Sequence, residues 1–215
     1  MPVRVGEVLE NPVTGERAVV RVAPQESNDY LLVVDLFVRP GGAVTGEHVH
    51  PGLAEAFTVV RGQLVARRDG CDLDMGPGMR LEVPAGVAHD WWNAGSEEVR
   101  VVVEIQPGDR FFLMARNLFM LAQDGKTNTK GMPGPLQAVA FGREFADTVR
   151  FTSPPQIVQR LMFSVLGPLA RLAGRRGSYQ EYARRQLPVV DLEPLPPDVV
   201  ALIPSLSVRP PDIHT

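Results

Sequence analysis

The stretch GEHVHPGLAE, Gly46 to Glu55, decides how the chain is read. Two of the protein's four histidines, His48 and His50, stand one residue apart in it, and a carboxylate, Glu55, follows five residues later. In a β-strand, residues two apart share a face with their Cα atoms ~7 Å apart, so His48 and His50 point the same way. Glu55, at an odd offset, would face away on one uninterrupted strand. Pro51-Gly52 lies between them, and a turn or bulge there resets the register. A third histidine, His89, follows a second Pro-x-Gly turn in PAGVAHDWWN. Three imidazoles and one carboxylate suit a divalent first-row metal. Four protein ligands on an octahedral ion leave two positions open, as chemistry at the metal requires.

Around this stretch the pattern is β-like. From about Val19 to Gln106, the runs YLLVVDLFV, AFTVV, LVARR, RLEVP, HDWWN and VRVVVEI are rich in β-branched and aromatic residues. The Gly/Pro turns RPGG, HPG, RDG, GPG, PAG and NAGS separate them. Short strands at regular spacing predict an all-β sandwich or barrel.

These residues closely resemble the two motifs of the cupin superfamily. The first, G-x5-H-x-H-x4-E-x6-G, is met by Gly42, His48, His50, Glu55 and Gly62. The second, G-x5-P-x-G-x2-H-x3-N, is met by Gly78, Pro84, Gly86, His89 and Asn93. The resemblance covers about residues 17–107. It implies a mainly β fold: an antiparallel jelly-roll β-barrel holding one divalent transition metal per chain (Fe, Mn, Zn, Ni or Co) through His48, His50, Glu55 and His89. A dioxygenase is the commonest activity for that ligand set among cupins. A metal-dependent isomerase or cyclase, or a non-catalytic small-molecule sensor, are the alternatives. Gly42, Gly62 and Gly78 are expected where turns need positive φ or close approach, and Asn93 is expected to tie a turn.

Alternation also sorts the candidate substrate wall. Counting from His89, Val87 and Trp91 face the ligands while Ala88, Asp90 and Trp92 face away; from Glu55, Phe57 and Val59 point inward. This apolar, aromatic wall (Phe57, Val59, Trp91) favours a hydrophobic small-molecule substrate. In RVVVEIQ the pattern leaves both faces open, with Val101, Val103 and Ile105 on one and Arg100, Val102, Glu104 and Gln106 on the other. Glu104 and Tyr30 are therefore carried as candidate acid–base or donor groups. His214, two residues from the end, is expected in solvent.

After Pro107-Gly108 the period changes. The expected organisation is a barrel over 1–109, a helical extension over 110–186 packed on it, and a proline-rich, extended tail over 187–215. Arg110–Gln123 carries apolar residues at 111, 114, 118 and 121. Leu136–Thr148 is expected to be helical as well. A further helix is expected with Ser153 as N-cap and Pro154 at its first position, kinked or divided by Pro168, and SYQEYARRQ adds a last turn or two. The stripes Phe111/Met114/Leu118/Leu121 and Ile157/Leu161/Val165 must be buried against something. The barrel and a dimer surface are the expected partners, with a helix walling the metal cavity. Removing everything after Gly108 is expected to leave a metal-binding but aggregation-prone barrel.

Composition excludes several classes. One cysteine, Cys71, permits no internal disulfide. MPVRVGEVLE has no apolar leader core, no run is long enough to span a bilayer, and there is no P-loop, no dinucleotide-binding glycine motif and no nucleophile elbow. A cytoplasmic location and a homodimer are expected. Residues 1–109 carry 9 Arg against 17 acids, net −8; residues 110–215 carry 13 basic residues against 8 acids, net +5. The overall charge of −3 gives nucleic-acid binding little support. The acidic barrel offers the basic extension a partner within the molecule, which ranks a membrane surface below the barrel as its partner.

Overall fold

A computed structural model describes residues 2–27, 30–44 and 46–207. His214 and the rest of the tail's end lie outside the described residues. The strands are β1 (Val8–Asn11), β2 (Glu16–Val22), β3 (Leu32–Val38), β4 (His48–Val49), β5 (Ala54–Arg61), β6 (Leu64–Arg68), β7 (Cys71–Met75), β8 (Arg80–Val83), β9 (His89–Trp92), β10 (Val99–Gln106) and β11 (Arg150–Phe151). They form two antiparallel sheets, ordered β1-β2-β3-β10-β5-β8 and β11-β4-β9-β6-β7. The inner faces enclose one apolar core that includes Val34, Phe57, Leu64, Trp91, Val103 and Ile105. Three motif glycines behave as expected. Gly62 and Gly78 hold φ of +83° and +79°, and a Cβ on Gly42 would lie 2.8 Å from the Thr14 carbonyl oxygen.

The helices are α1 (Asp109–Gln123), α2 (Pro135–Glu144), α3 (Gln156–Leu172), α4 (Gln180–Arg184), α5 (Pro197–Ala201) and α6 (Pro204–Ser207). Helix α1 places an acid, Asp109, in its first turn, where the helix dipole favours it. It buries Phe112, Met114, Leu118, Phe119 and Leu121 against the barrel opening. Helix α2 is shorter than the sequence predicts, ending at Glu144.

Helix α3 corrects two expectations. It starts at Gln156 with Pro155 as its N-cap residue, not at Ser153-Pro154. Pro154 is itself followed by proline, and ring sterics push a residue in that position out of the helical region. Pro168 does not divide α3, which runs continuously to Leu172. The carbonyl that Pro168 leaves without an N–H partner belongs to Ser164, an exposed residue open to solvent. The Phe111/Met114/Leu118/Leu121 stripe packs inward, whereas Ile157, Leu161 and Val165 are 64%, 61% and 65% exposed.

The tail is not simply extended. Pro197 and Pro204 open α5 and α6, because proline suits the first helical position, whose N–H has no intrahelical partner. Val199 and Ile203 bury themselves on the outer face of the six-stranded sheet against Val33 and Val102. Upstream, Val8 N–H donates to the Pro188 carbonyl and Val190 N–H to the Gly6 carbonyl, which covers the β1 edge.

Candidate metal centre

The odd offset of Glu55 is resolved by a change of sheet. Strand β4, carrying His48, lies in the five-stranded sheet, and β5, carrying Glu55, lies in the six-stranded one. Pro51-Gly52 takes the chain across, so both strands present their inner faces to the same space. His48 pairs directly with His89 across β4 and β9, and on its other side with Phe151 of β11. The four candidate ligands are all buried, and one donor atom from each lies within 4.8 Å of every other.

The imidazole tautomers are set by their second contacts. His48 Nδ1–H donates to the Gly46 carbonyl (2.9 Å), His50 Nδ1–H to the Thr148 carbonyl (2.6 Å) and His89 Nδ1–H to the Val87 carbonyl (3.1 Å). A carbonyl only accepts, so each Nδ1 keeps the proton and each Nε2 is left as a lone-pair ligand. His89 Nε2 lies 2.8 Å and His50 Nε2 3.4 Å from Glu55 Oε2. All three atoms are buried without a hydrogen-bond donor. Acceptors facing acceptors in a dry cavity require a cation among them, either a proton or a metal. The donor set of imidazole nitrogens and one carboxylate fits a single transition ion.

The electrostatics point the same way. Burial, reinforced by His89 and His50, pushes His48 down to about 3, so its imidazole is neutral near pH 7. Burial also opposes charging of Glu55, but His50 and His89 outweigh it and hold the carboxyl well below the usual carboxylate range. For His50, burial pulls downward and loses to the Glu55 carboxylate, leaving the imidazole above its ordinary value. Without a metal, a proton on His50 supplies the missing positive charge.

The cluster opens into a cavity of about 110 Å³ whose wall is otherwise apolar except for Glu16, and includes Leu9, Val34, Phe57, Trp91, Phe112 and Phe119. Trp91 is buried toward it, and the neighbouring Trp92 turns outward beneath Arg67, whose guanidinium carbon lies 5.3 Å from the indole ring. Phe57 lines the cavity. Val59 does not: it is fully buried in the core two residues further along β5, paired with Val101, beyond the cavity's end. Val87 is half-buried against the core. Glu104 is also a correction. Val103 and Ile105 face the cavity, so Glu104 faces the outer side, bound to Arg80 and to the Ser205 hydroxyl (2.5 Å). Tyr30 is 56% exposed at φ +53° and does not line the cavity. Asn93 ties its turn, donating to the Val38 and Glu97 carbonyls at 2.8 and 2.7 Å.

Glu16 was not anticipated from the sequence. It lines the cavity with Ala18 and, apart from the cluster residues, is the one ionisable residue in the wall among the described residues. Burial raises its carboxyl to about 7, although the Thr14 hydroxyl, donating to Oε2 at 2.5 Å, pulls the other way. The alternation of Glu16, Ala18 and Val20 on the inner face of β2 was the available signal: a carboxylate on the apolar side of a strand.

Residues 35–114, which contain all four clustered side chains, match the cupin domain family. Over those residues the chain is a cupin domain. Polyketide synthase CurC of Streptomyces cyaneus is 34% identical over 70 residues, 33% of this chain and 45% of that protein, so the chain matches less than half of the relative's length. Among solved structures, the chain is similar to a predicted oxalate decarboxylase from Thermotoga maritima (22% identity, covering 49% of this chain and 98% of that one, TM-score 0.43). KdgF from a Halomonas species (16%, covering 49% and 90%, TM-score 0.42) and an RmlC-like cupin from Shewanella frigidimarina (18%, covering 50% and 88%, TM-score 0.41) are also similar.

Proposed function

We propose that this cupin is a metal-dependent enzyme acting on a small hydrophobic or aromatic molecule, and that its reaction is of the dioxygenase type. The observation that carries the reading is the convergence of His48, His50, Glu55 and His89 within 4.8 Å at a buried, largely apolar cavity, with lone pairs facing one another. A divalent ion held there supplies Lewis acidity, and one-electron chemistry if it is redox-active. The chain's own residues do the rest. Carbonyls of Gly46, Val87 and Thr148 hold the imidazoles in one tautomer. Phe57, Trp91 and Phe112 bind apolar substrate surface and exclude water. Glu16, whose carboxyl titrates near neutrality, gives or takes a proton at its carboxyl oxygens or anchors a substrate hydroxyl. The relative named a polyketide synthase supports a polyketide-like substrate.

Glu16 also favours a second reading. A neutral-range carboxyl beside a Lewis acid suits proton shuffling, as in an isomerase or cyclase, and needs no redox change at the metal. Metal analysis of protein purified without chelators tests the common premise, with close to one transition ion per chain expected. Substrate-dependent O₂ uptake by Fe-loaded protein then supports the oxygenase. Turnover with Zn²⁺ supports the isomerase, and tight binding without turnover under either metal supports a sensor and sinks both enzyme readings.

A further inference from the structure

Helix α3 has two unlike sides. Its inner side packs on α2 through the buried Gly167 and Ala170 and the half-buried Met162 and Phe163. Its outer side carries Ile157, Leu161, Val165, Leu169 and Leu172, which are 64%, 61%, 65%, 49% and 86% exposed. These residues recur every three or four positions and form one continuous stripe ~22 Å long. Large apolar side chains in such a row make a patch of at least several hundred Å², the size at which a monomer's surface marks an interaction site. The barrel and a dimer surface are the expected partners for this stripe, and the barrel does not cover it.

The charge around the stripe selects its partner. Residues 148–180 hold five arginines (150, 160, 171, 175 and 176) and no Asp or Glu. Arg160 and Arg171 run along one flank of the stripe, Arg175 and Arg176 follow its C-terminal end, and all four are exposed. A second copy docking through α3 is opposed by this pattern. An antiparallel pair centred on Val165 sets Arg160 against Arg171, and a parallel pair sets each arginine against itself, with no acid in the stretch to intervene. Spanning a bilayer is also excluded for α3, since no helix among the described residues is long and apolar enough to cross one. An apolar stripe flanked by arginines that can extend their head groups to phosphate is the pattern of a helix lying in the lipid–water boundary.

We propose that α3 seats the protein on an anionic lipid surface, with Ile157, Leu161, Val165, Leu169 and Leu172 entering the acyl boundary and the arginines engaging lipid phosphates. The inner side of α3 (Gln156, Gln159, Met162 and Phe163) lines a cleft of about 1040 Å³. That cleft shares Leu118, Phe141, Val149 and Phe151 with the wall of the metal cavity. Docking by the outer side sets this cleft one helix away from the lipid surface; on the metal-enzyme reading above, the cleft leads an apolar substrate from the rim of α3 toward the centre.

The test is flotation of the full chain with vesicles of phosphatidylcholine containing one-third phosphatidylglycerol, against vesicles of phosphatidylcholine alone. Adding a chelator keeps the result independent of the metal reading. Wild-type protein is expected to float with the anionic vesicles and to be released by salt. Leu161→Glu/Val165→Glu should lower the partition constant at least about tenfold, and each of Arg160→Gln and Arg171→Gln about fivefold. These positions are exposed, so unchanged thermal melting and metal content will show that the variants fold. Absence of wild-type flotation, or equal flotation of wild type and the double glutamate variant, overturns the proposal. So does a wild-type dimer in sedimentation that the glutamate variant splits into monomers, because α3 would then belong to the second copy.

Discussion

Glu16 makes the sharpest residue-scale prediction. Its carboxyl is raised from an ordinary 4.5 to about 7 by burial, so the folded chain binds this proton more tightly than the unfolded one. The resulting stability is fully present below about pH 4.5 and is lost as pH rises through about 7, amounting to about 3 kcal/mol. Glu16→Gln should remove that slope. Urea denaturation of chelator-treated wild type and variant at pH 4.5 and pH 8 should show the difference shrinking to near zero at the acid end; parallel losses would place the Glu16 proton elsewhere. At the cluster, His50→Ala and Glu55→Ala should each lose most of the bound metal, since each removes a ligand and leaves its partners unsatisfied. Wild-type metal content in both variants would move the site away from these residues. The four ligands could be read from motif spacing alone. Glu16 could not, because its importance arises from burial by strands and a helix remote in sequence.

Among the elements, β9 and β10 show where alternation works and where it stops. In β9 the inward face is clear, with His89 and Trp91 on one side and Asp90 and Trp92 on the other. Loading a quenching ion such as Ni²⁺ should therefore dim the fluorescence of a Trp92→Phe variant, which reports Trp91, more than that of Trp91→Phe. Equal dimming would place both indoles at similar distance from the metal. In β10 every residue from Val99 to Ile105 is buried, so period-2 contrast vanishes and Glu104 could not be oriented from sequence. The cause is the tail, which covers the outer face of the sheet. Proline misled in the same way at α3 and in the tail: it reads as punctuation, but its effect depends on the neighbouring residue. At Pro154 a second proline blocks the helix; at Pro197 and Pro204 proline starts one.

For the whole molecule, the charge split between the two halves explains little of their attachment. An ion pair that does cross between them, Arg100–Glu193 at 3.3 Å, has the sign opposite to the split. Apolar burial does more. Val199 and Ile203 seal Val33 and Val102, and the Glu193 and Pro194 carbonyls accept from the buried Arg100 guanidinium at 3.0 and 3.2 Å. Ile203→Ala should cost about 2–4 kcal/mol in chemical denaturation, and a loss under ~0.5 kcal/mol would make the tail an ornament. One contact reaches further. His50 is oriented by the carbonyl of Thr148, 98 residues later, and the strand carrying His48 is closed by Phe151. A chain ending at Gly108 lacks both, so its metal affinity should fall about 10–100-fold in a competition assay. The same contact also orders the cluster along the chain. All four candidate ligands lie before residue 90, whereas the carbonyl that orients the His50 ring belongs to Thr148, so a chain under synthesis holds the complete ligand set before it holds the group that fixes one of its rings.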